Sequence, residues 1–241
     1  MDTGHYNMLF RYEEHHWWYH VRREIIHQLI SKYRTMSEEL RIADIGCGAG
    51  LLSKELEMYG MVTDIDPSQQ SVSFTRSRGL KDVRLGSAEE TGCSNDEFDI
   101  VLCLDVLEHL KEDLDGILEI KRILKPGGIA IIFVPAFHFL WSITDEVSHH
   151  FRRYRLPQLF KKFEQAGFSI QKYSYFNTIL FLPIALIRIT VRILHLNITS
   201  EAETGSGVIN RILYRLFSLE RKWLANHSLP FGVSIMYVIR K

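Results

Sequence analysis

The run DIGCGAG, Asp44 to Gly50, sets one carboxylate and three glycines between an apolar stretch, LRIA, and an amphipathic one, LLSKELEMYG. Glycine tolerates positive φ and lacks a Cβ, so its backbone can touch a ligand that a side chain would push away. A nicotinamide or flavin site needs G-x-G-x-x-G, and here the third glycine comes one residue early, with Leu51 in its place. A phosphate-cradling loop needs Lys-Ser/Thr after the glycines, and none follows. The carboxylate of Asp44 would crowd a pyrophosphate and suits a ligand with positive charge. A lone Asp at such a junction also serves as a turn or helix cap.

A second acidic position follows in TDIDPS. An acid at the end of a second strand can accept two hydrogen bonds from ribose hydroxyls. Asp66 ends that strand directly before Pro67, and Asp64 lies one strand period earlier on the same face. Together these residues describe an adenosine-containing ligand without a pyrophosphate and with a cationic end. S-adenosylmethionine (SAM) has those properties.

The elements that must position them alternate. RIADI, MVTDI, DVRL, FDIVLCL and IAIIFV read as strands. Helices are expected at about 51–59, from Pro67 to about Arg78, and at about 114–124, the last stopped by KPGG. Continuous apolar runs suit parallel strands buried on both faces, and the alternation predicts a doubly wound α/β sheet. A helix from Pro157 to Gly167 follows, then the strand pattern FSIQKYSYF, two helical segments, and GVSIMYVIR as the last strand of the same sheet. We read one domain over 1–241, with an N-terminal helical cap over 1–40 and a helical insertion over 178–225. TSEAET with Gly205, Ser206 and Gly207 reads as a polar bend.

With these motifs in order, the sequence resembles the class I SAM-dependent methyltransferases over nearly the whole chain. DIGCGAG is similar to the family's first motif, DIDPS to its acidic loop and GSAEE to its adenine loop. FDIVLCLDVLEHL is similar to its fourth strand, and LKPGG to the turn before the fifth. The ends resemble a bacterial subgroup acting on small molecules and lipid precursors. The resemblance implies a Rossmann-like seven-stranded sheet with the last strand antiparallel. It implies that Asp44, Gly46, Cys47 and Gly48 hold the methionine end of SAM, Asp66 the ribose and Ile65 the adenine face. Ala88 and Glu89 would border the adenine edge, and Leu104 would lie under the sulfonium. Ser87 stands where the family often has Asp.

Methyl transfer from a sulfonium is an in-line displacement, so the protein mainly aligns donor and nucleophile. A base is needed only where the acceptor loses a proton, and His suits that near neutral pH. Of 11 His, two are placed for it. His109, in LEHL, reads either as a base near the sulfonium or as a packed helix-start residue. His150, in HHFRRYR, follows strand five, where Arg152, Arg153 and Tyr154 could bind an anionic acceptor; the bland alternative is a solvated basic loop. In HHWWYHVRRE, Trp18, Tyr19 and Arg22 either lid the donor, with aromatic faces toward the cation, or staple a helix to the sheet. His15, His16, His149 and His150 lack Cys or acid spacing for zinc, so no metal is expected.

Charge is balanced, 29 basic against 29 acidic residues, which argues against a nucleic-acid partner. The three cysteines, Cys47, Cys93 and Cys103, suit a reduced compartment, and the charged N-terminus is no signal peptide. These features imply the cytoplasm. Ser174 to Ile187 holds 14 residues without charge, short of a span, before Arg188 and Arg192 fall on one helix face. Residues 178–194 therefore suit peripheral contact with a membrane, a cap over a greasy acceptor, or a core or oligomer interface. The expected activity is transfer from SAM to an oxygen of an acidic or phosphorylated glycan or polyprenyl precursor, leaving S-adenosylhomocysteine. A quinone-pathway methyltransferase and a non-catalytic SAM-binding module are the alternatives.

Overall fold

The structure, a computed structural model, describes residues 10, 12–34, 39–194 and 207–241. Its frame is a sheet of seven strands among the described residues: β1 (Leu40–Ile45), β2 (Gly60–Asp66), β3 (Asp82–Leu85), β4 (Phe98–Leu104), β5 (Leu124–Pro135), β6 (Ser169–Phe176) and β7 (Ser234–Arg240). They lie in the order β3-β2-β1-β4-β5-β7-β6. The pairs from β3 to β5 are parallel, whereas β7 runs antiparallel to both β5 and β6. The expected α/β sheet with an antiparallel last strand is therefore present. Strand order reverses beside β1, between β1 and β4, which opens a crevice at the carboxyl ends of those strands.

Helices flank it: α1 (Trp17–Tyr33), α2 (Leu51–Leu56), α3 (Gln69–Ser77), α4 (Asp113–Ile123), α5 (Ile143–Val147), α6 (Leu156–Gln165), α7 (Phe181–Ile193) and α8 (Gly207–Leu224). The central strands are apolar on both faces, so each face carries its own core. One holds Ile45, Val101 and Ile132 against Ile117, Leu159 and Phe163 of α4 and α6. The other holds Ile42, Leu102 and Phe133 against Ile25 and Leu29 of α1 and Phe217 of α8. The cap and the insertion, remote in sequence, pack on each other there. Trp17 N–H donates to Asn210 Oδ1 at 2.8 Å, and the Trp18 ring stacks on Phe217 with centroids 5.4 Å apart.

Two expected boundaries move. Pro67 does not open α3; Ser68 caps it, because the Asp66 carboxylate takes the Ser68 N–H at 2.9 Å and holds the chain extended for one more residue. KPGG is not a free turn but the irregular start of β5, whose partner strand shifts register between Phe98 and Ile100, with Gly127 at φ +80°. Of the bend expected over 199–207, residues 199–206 lie outside the described residues and Gly207 begins α8.

Candidate functional site

Gly46, Gly48 and Gly50 all take left-handed φ, from +61° to +79°. At Gly46 a Cβ would meet Val106 Cγ2 at 2.4 Å, so the close approach of the β4 loop demands glycine there. Asp66 braces this loop as well: its carboxylate accepts from Gly48 N–H at 3.1 Å. The Ser71 hydroxyl donates to the Gly48 carbonyl. The result is a rigid backbone rim at the switch point of the sheet.

That rim borders a cleft of about 650 Å³. Gly46, Cys47, Gly48, Asp66, Ala88 and Glu89 line one end. Leu104, at the end of β4, lies on its wall, and Trp18, Tyr19 and Arg22 of α1 lie on it too. Two residues expected here are elsewhere. Ile65 is fully buried in the core, because the strand's alternation turns it away from Asp66, and Pro67 lines the cleft instead. Asp44 is buried behind the loop, where it accepts from Ser53 Oγ at 2.8 Å.

Burial decides the charge of Asp44. Desolvation pushes its carboxyl up to about 7 against the Ser53 hydrogen bond, with the Asp66 charge adding to the rise. Its neighbour across the β1–β2 pairing, Asp64, is fully buried with neither oxygen hydrogen-bonded, and burial and then Asp44 push it up to about 8. Burial raises both acids toward neutral pH and keeps them beneath the loop, away from the cleft wall. Of the three acids, Asp66 is the one on the cleft wall.

Over the cleft, Arg22 forms an ion pair with Asp105 at 2.5 Å, and its guanidinium stacks over Trp18 and Phe133 at 5.2 and 5.4 Å. Asp105 sits at φ +56° just past β4. Sequence reading missed Glu13. It lines the cleft, pairs with Arg78 at 2.7 Å, and is pushed up to about 7 by burial against the pull of Arg78 and Arg23. Arg78 also donates to the Ala49 carbonyl at 2.8 Å, tying the N-terminal cap to the glycine loop.

The opposite end of the cleft is built on histidine. His150 Nδ1 lies 2.8 Å from Asp145 Oδ1, and Arg153 grips both oxygens of Asp145 at 2.8 Å each. Burial alone would raise Asp145, but hydrogen bonds from His150 and Arg153 and the Arg153 charge outweigh it and hold the carboxyl well below its usual range. An ionised Asp145 fixes His150 with the proton on Nδ1 and leaves Nε2 basic. His109 stands edge-on to His150, with ring centroids 4.5 Å apart. Burial, with His150 adding, lowers its pKa to about 4, so it is neutral at physiological pH.

Sequence reading weighed four histidines for zinc, yet folding gathers a different set. Glu108, His109 and His150 bring three ligand atoms within 4.8 Å of one another, and both Glu108 oxygens are buried without a hydrogen-bond partner. With Asp145 behind His150, these groups could hold a divalent cation. The sequence signal was present in LEH, but its partner comes from 41 residues downstream, on the loop after β5.

Of the two arginines and the tyrosine expected to bind an acceptor, only Arg153 lines the cleft. Arg152 pairs with Asp113 at 3.3 Å and donates to the Lys111 carbonyl, outside the cleft lining. Tyr154 is 2% exposed, and its hydroxyl donates to Leu107 O and Asp113. An isolated bridge between Ala136 and Tyr154 makes this stretch extended, so neighbouring side chains alternate in direction. Arg153 does line the cleft, held by Asp145, and Arg188 of α7 joins it there.

Residues 43–132 match the family model described as a methyltransferase domain. Over those residues the chain is similar to a methyltransferase domain. SAM is the cofactor of such a domain. The chain is 38% identical over 113 residues to the ubiquinone biosynthesis O-methyltransferase of Rickettsia canadensis, covering 45% of this chain and 48% of that protein. It is 35% identical over 136 residues to the Rickettsia prowazekii protein of the same name, covering 49% and 54%. The chain thus spans about half the length of the curated relatives it matches. Among solved structures, a SAM-dependent methyltransferase from Archaeoglobus fulgidus superposes with TM-score 0.57 at 18% identity, over 91% of this chain and 94% of that one. The [4+2]-cyclase SpnF superposes with TM-score 0.59 at 20% identity, over 90% and 79%. These likenesses show the methyltransferase-type fold. The chemistry has to be argued from the cleft. Among the described residues no helix is long and apolar enough to cross a membrane.

Proposed function

We propose that the protein transfers the methyl group of SAM to a hydroxyl oxygen of an apolar, phenol-type acceptor of the quinone-precursor kind. The observation that carries this reading is the His150–Asp145 pair at the far end of the same cleft that the glycine loop borders. The names of the relatives support the acceptor class, and α7, rich in apolar residues, supplies Arg188 to the cleft wall. The arginines that motivated an acidic glycan acceptor are turned outward or held by Asp145, which weakens that alternative.

In this reading Asp66 accepts the ribose hydroxyls, Gly46, Cys47 and Gly48 offer backbone to the methionine portion, and Ala88, Glu89 and Pro67 border the adenine. Leu104 underlies the sulfonium, while Trp18 and Arg22 close the cleft against water. Asp44, buried and held by Ser53, shapes the loop from behind. His150 Nε2 takes the acceptor's hydroxyl proton as the oxygen attacks the methyl carbon. The carbon–sulfur bond breaks, its electron pair returns to sulfur, and S-adenosylhomocysteine leaves. The imidazolium is stabilised by Asp145, as in other Asp–His pairs. His109, neutral and edge-on, holds the His150 ring in plane.

The test is transfer of isotope-labelled methyl from SAM to a prenylated catechol in detergent, read by mass. A methylated product that disappears in His150→Ala supports the proposal. SAM binding without product from phenolic acceptors would favour a non-catalytic SAM-binding module.

A further inference from the structure

Helices α7 and α8 carry an apolar surface that none of the described residues covers. On α8, Val208, Ile212, Leu216, Leu219 and Trp223 recur at helical spacing and are 36% to 66% exposed. On α7, Leu182, Leu186, Ile187 and Ile193 are 59% to 67% exposed. Buried Glu220 of α8 accepts the N–H groups of Thr178 and Ile179, just before α7, at 2.7 and 3.2 Å, and Phe181 of α7 meets Phe231, beyond α8, with ring centroids 5.3 Å apart. A single exposed Leu needs no explanation, but nine large apolar side chains on two successive helices do.

The charges say what covers them. Arg211, Arg215 and Lys222 are exposed on α8 at spacings of four and seven, a row along one edge of its apolar stripe. Glu220 is the single acid of the two helices, and it is buried. Arg188 and Arg192, the pair that sequence reading assigned to this surface, instead donate inward to the Leu140 and Phe139 carbonyls. We propose that α7 and α8 dock the protein on an anionic lipid bilayer. Leu216, Leu219 and Trp223 enter the boundary between headgroups and acyl chains, while Arg211, Arg215 and Lys222 meet lipid phosphates. A contact between two copies would bury the same stripe but bring two rows of cations together with no acid to meet them. The inference rests on this surface alone and not on the acceptor.

Vesicle sedimentation tests it. The protein is expected to sediment with mixed phosphatidylcholine–phosphatidylglycerol vesicles, far less with phosphatidylcholine alone, and to be released by salt. Replacing Arg211, Arg215 and Lys222 together by Gln should weaken binding about a hundredfold. Leu219→Glu with Trp223→Glu should abolish it. Both variants should keep wild-type SAM affinity, which separates loss of docking from loss of the cofactor site. Three outcomes would overturn the proposal: no sedimentation with either vesicle, unchanged sedimentation of the triple variant, or a solution dimer that Leu219→Glu converts to monomer.

Discussion

The two ends of the cleft are built on different principles. The glycine-loop end is local: residues 46–48 and 66–67 sit at the ends of neighbouring strands, and hydrogen bonds between backbone and Asp66 fix them. The histidine end is convergent, joining Glu108 and His109 after β4 with Asp145, His150 and Arg153 after β5. The first offers backbone and one acidic side chain, Asp66, to a cofactor. The second offers titratable side chains to an acceptor. A local rim tolerates little change in backbone, whereas a convergent cluster can be altered one side chain at a time without disturbing the loop.

Substitutions can break this division of labour. The largest effect is expected at the convergent end. His150→Ala should cut turnover by roughly 10²–10³-fold, the range for losing a general base, while leaving SAM affinity intact by calorimetry. At the local end, Asp66→Ala removes a carboxylate that braces the loop and would receive two ribose hydroxyls. SAM affinity should fall roughly tenfold to a hundredfold, at about 1.5–3 kcal/mol for hydrogen bonds to a charged group, with turnover at saturating SAM little changed.

The buried acids sharpen the comparison through stability. Burial pushes the Asp64 carboxyl up to about 8 in the folded state, from an ordinary 3.8. Between those values the folded state holds a proton that the unfolded state releases, so its contribution falls as pH rises from about 4 to about 8. Asp64→Asn should stabilise the protein at pH 8 by on the order of 1 kcal/mol or more, read as a higher melting temperature, and change little near pH 4. His109 has the opposite slope. Its folded pKa is depressed to about 4, so the stability it contributes is lost as pH falls from about 6.5 toward 4. His109→Gln should flatten that acid limb in thermal unfolding. The smallest effect is expected at the lid: Arg22→Ala breaks an ion pair between a buried arginine and a partly exposed aspartate and should weaken SAM binding only a few-fold, about 0.5–1 kcal/mol.

The fold was readable because burial on both faces writes continuous apolar runs in the central strands, and the alternation in FSIQKYSYF marks β6. The glycine rim was readable because left-handed φ restricts residue choice at Gly46, Gly48 and Gly50. Side-chain direction was harder to read. Ile65 and Pro67 differ by two residues, yet strand alternation buries the first and the end of the strand exposes the second. Asp44 looked like a ligand for a cation because sequence does not show that Ser53 and Asp64 wall it off. In HHFRRYR the directions are mixed: His150 and Arg153 face the cleft, and Arg152 and Tyr154 turn to Asp113. Asp145 carried no signal of its own, since its importance comes from two partners that folding brings to it.

The central claim is that one end of the cleft holds the cofactor and the other holds the base. Calorimetric titration of SAM into wild type, Asp66→Ala and His150→Ala tests it most directly. The account predicts equal affinity for wild type and His150→Ala and a clear loss for Asp66→Ala. Equal loss in both variants, or no SAM binding to the wild type, would contradict it.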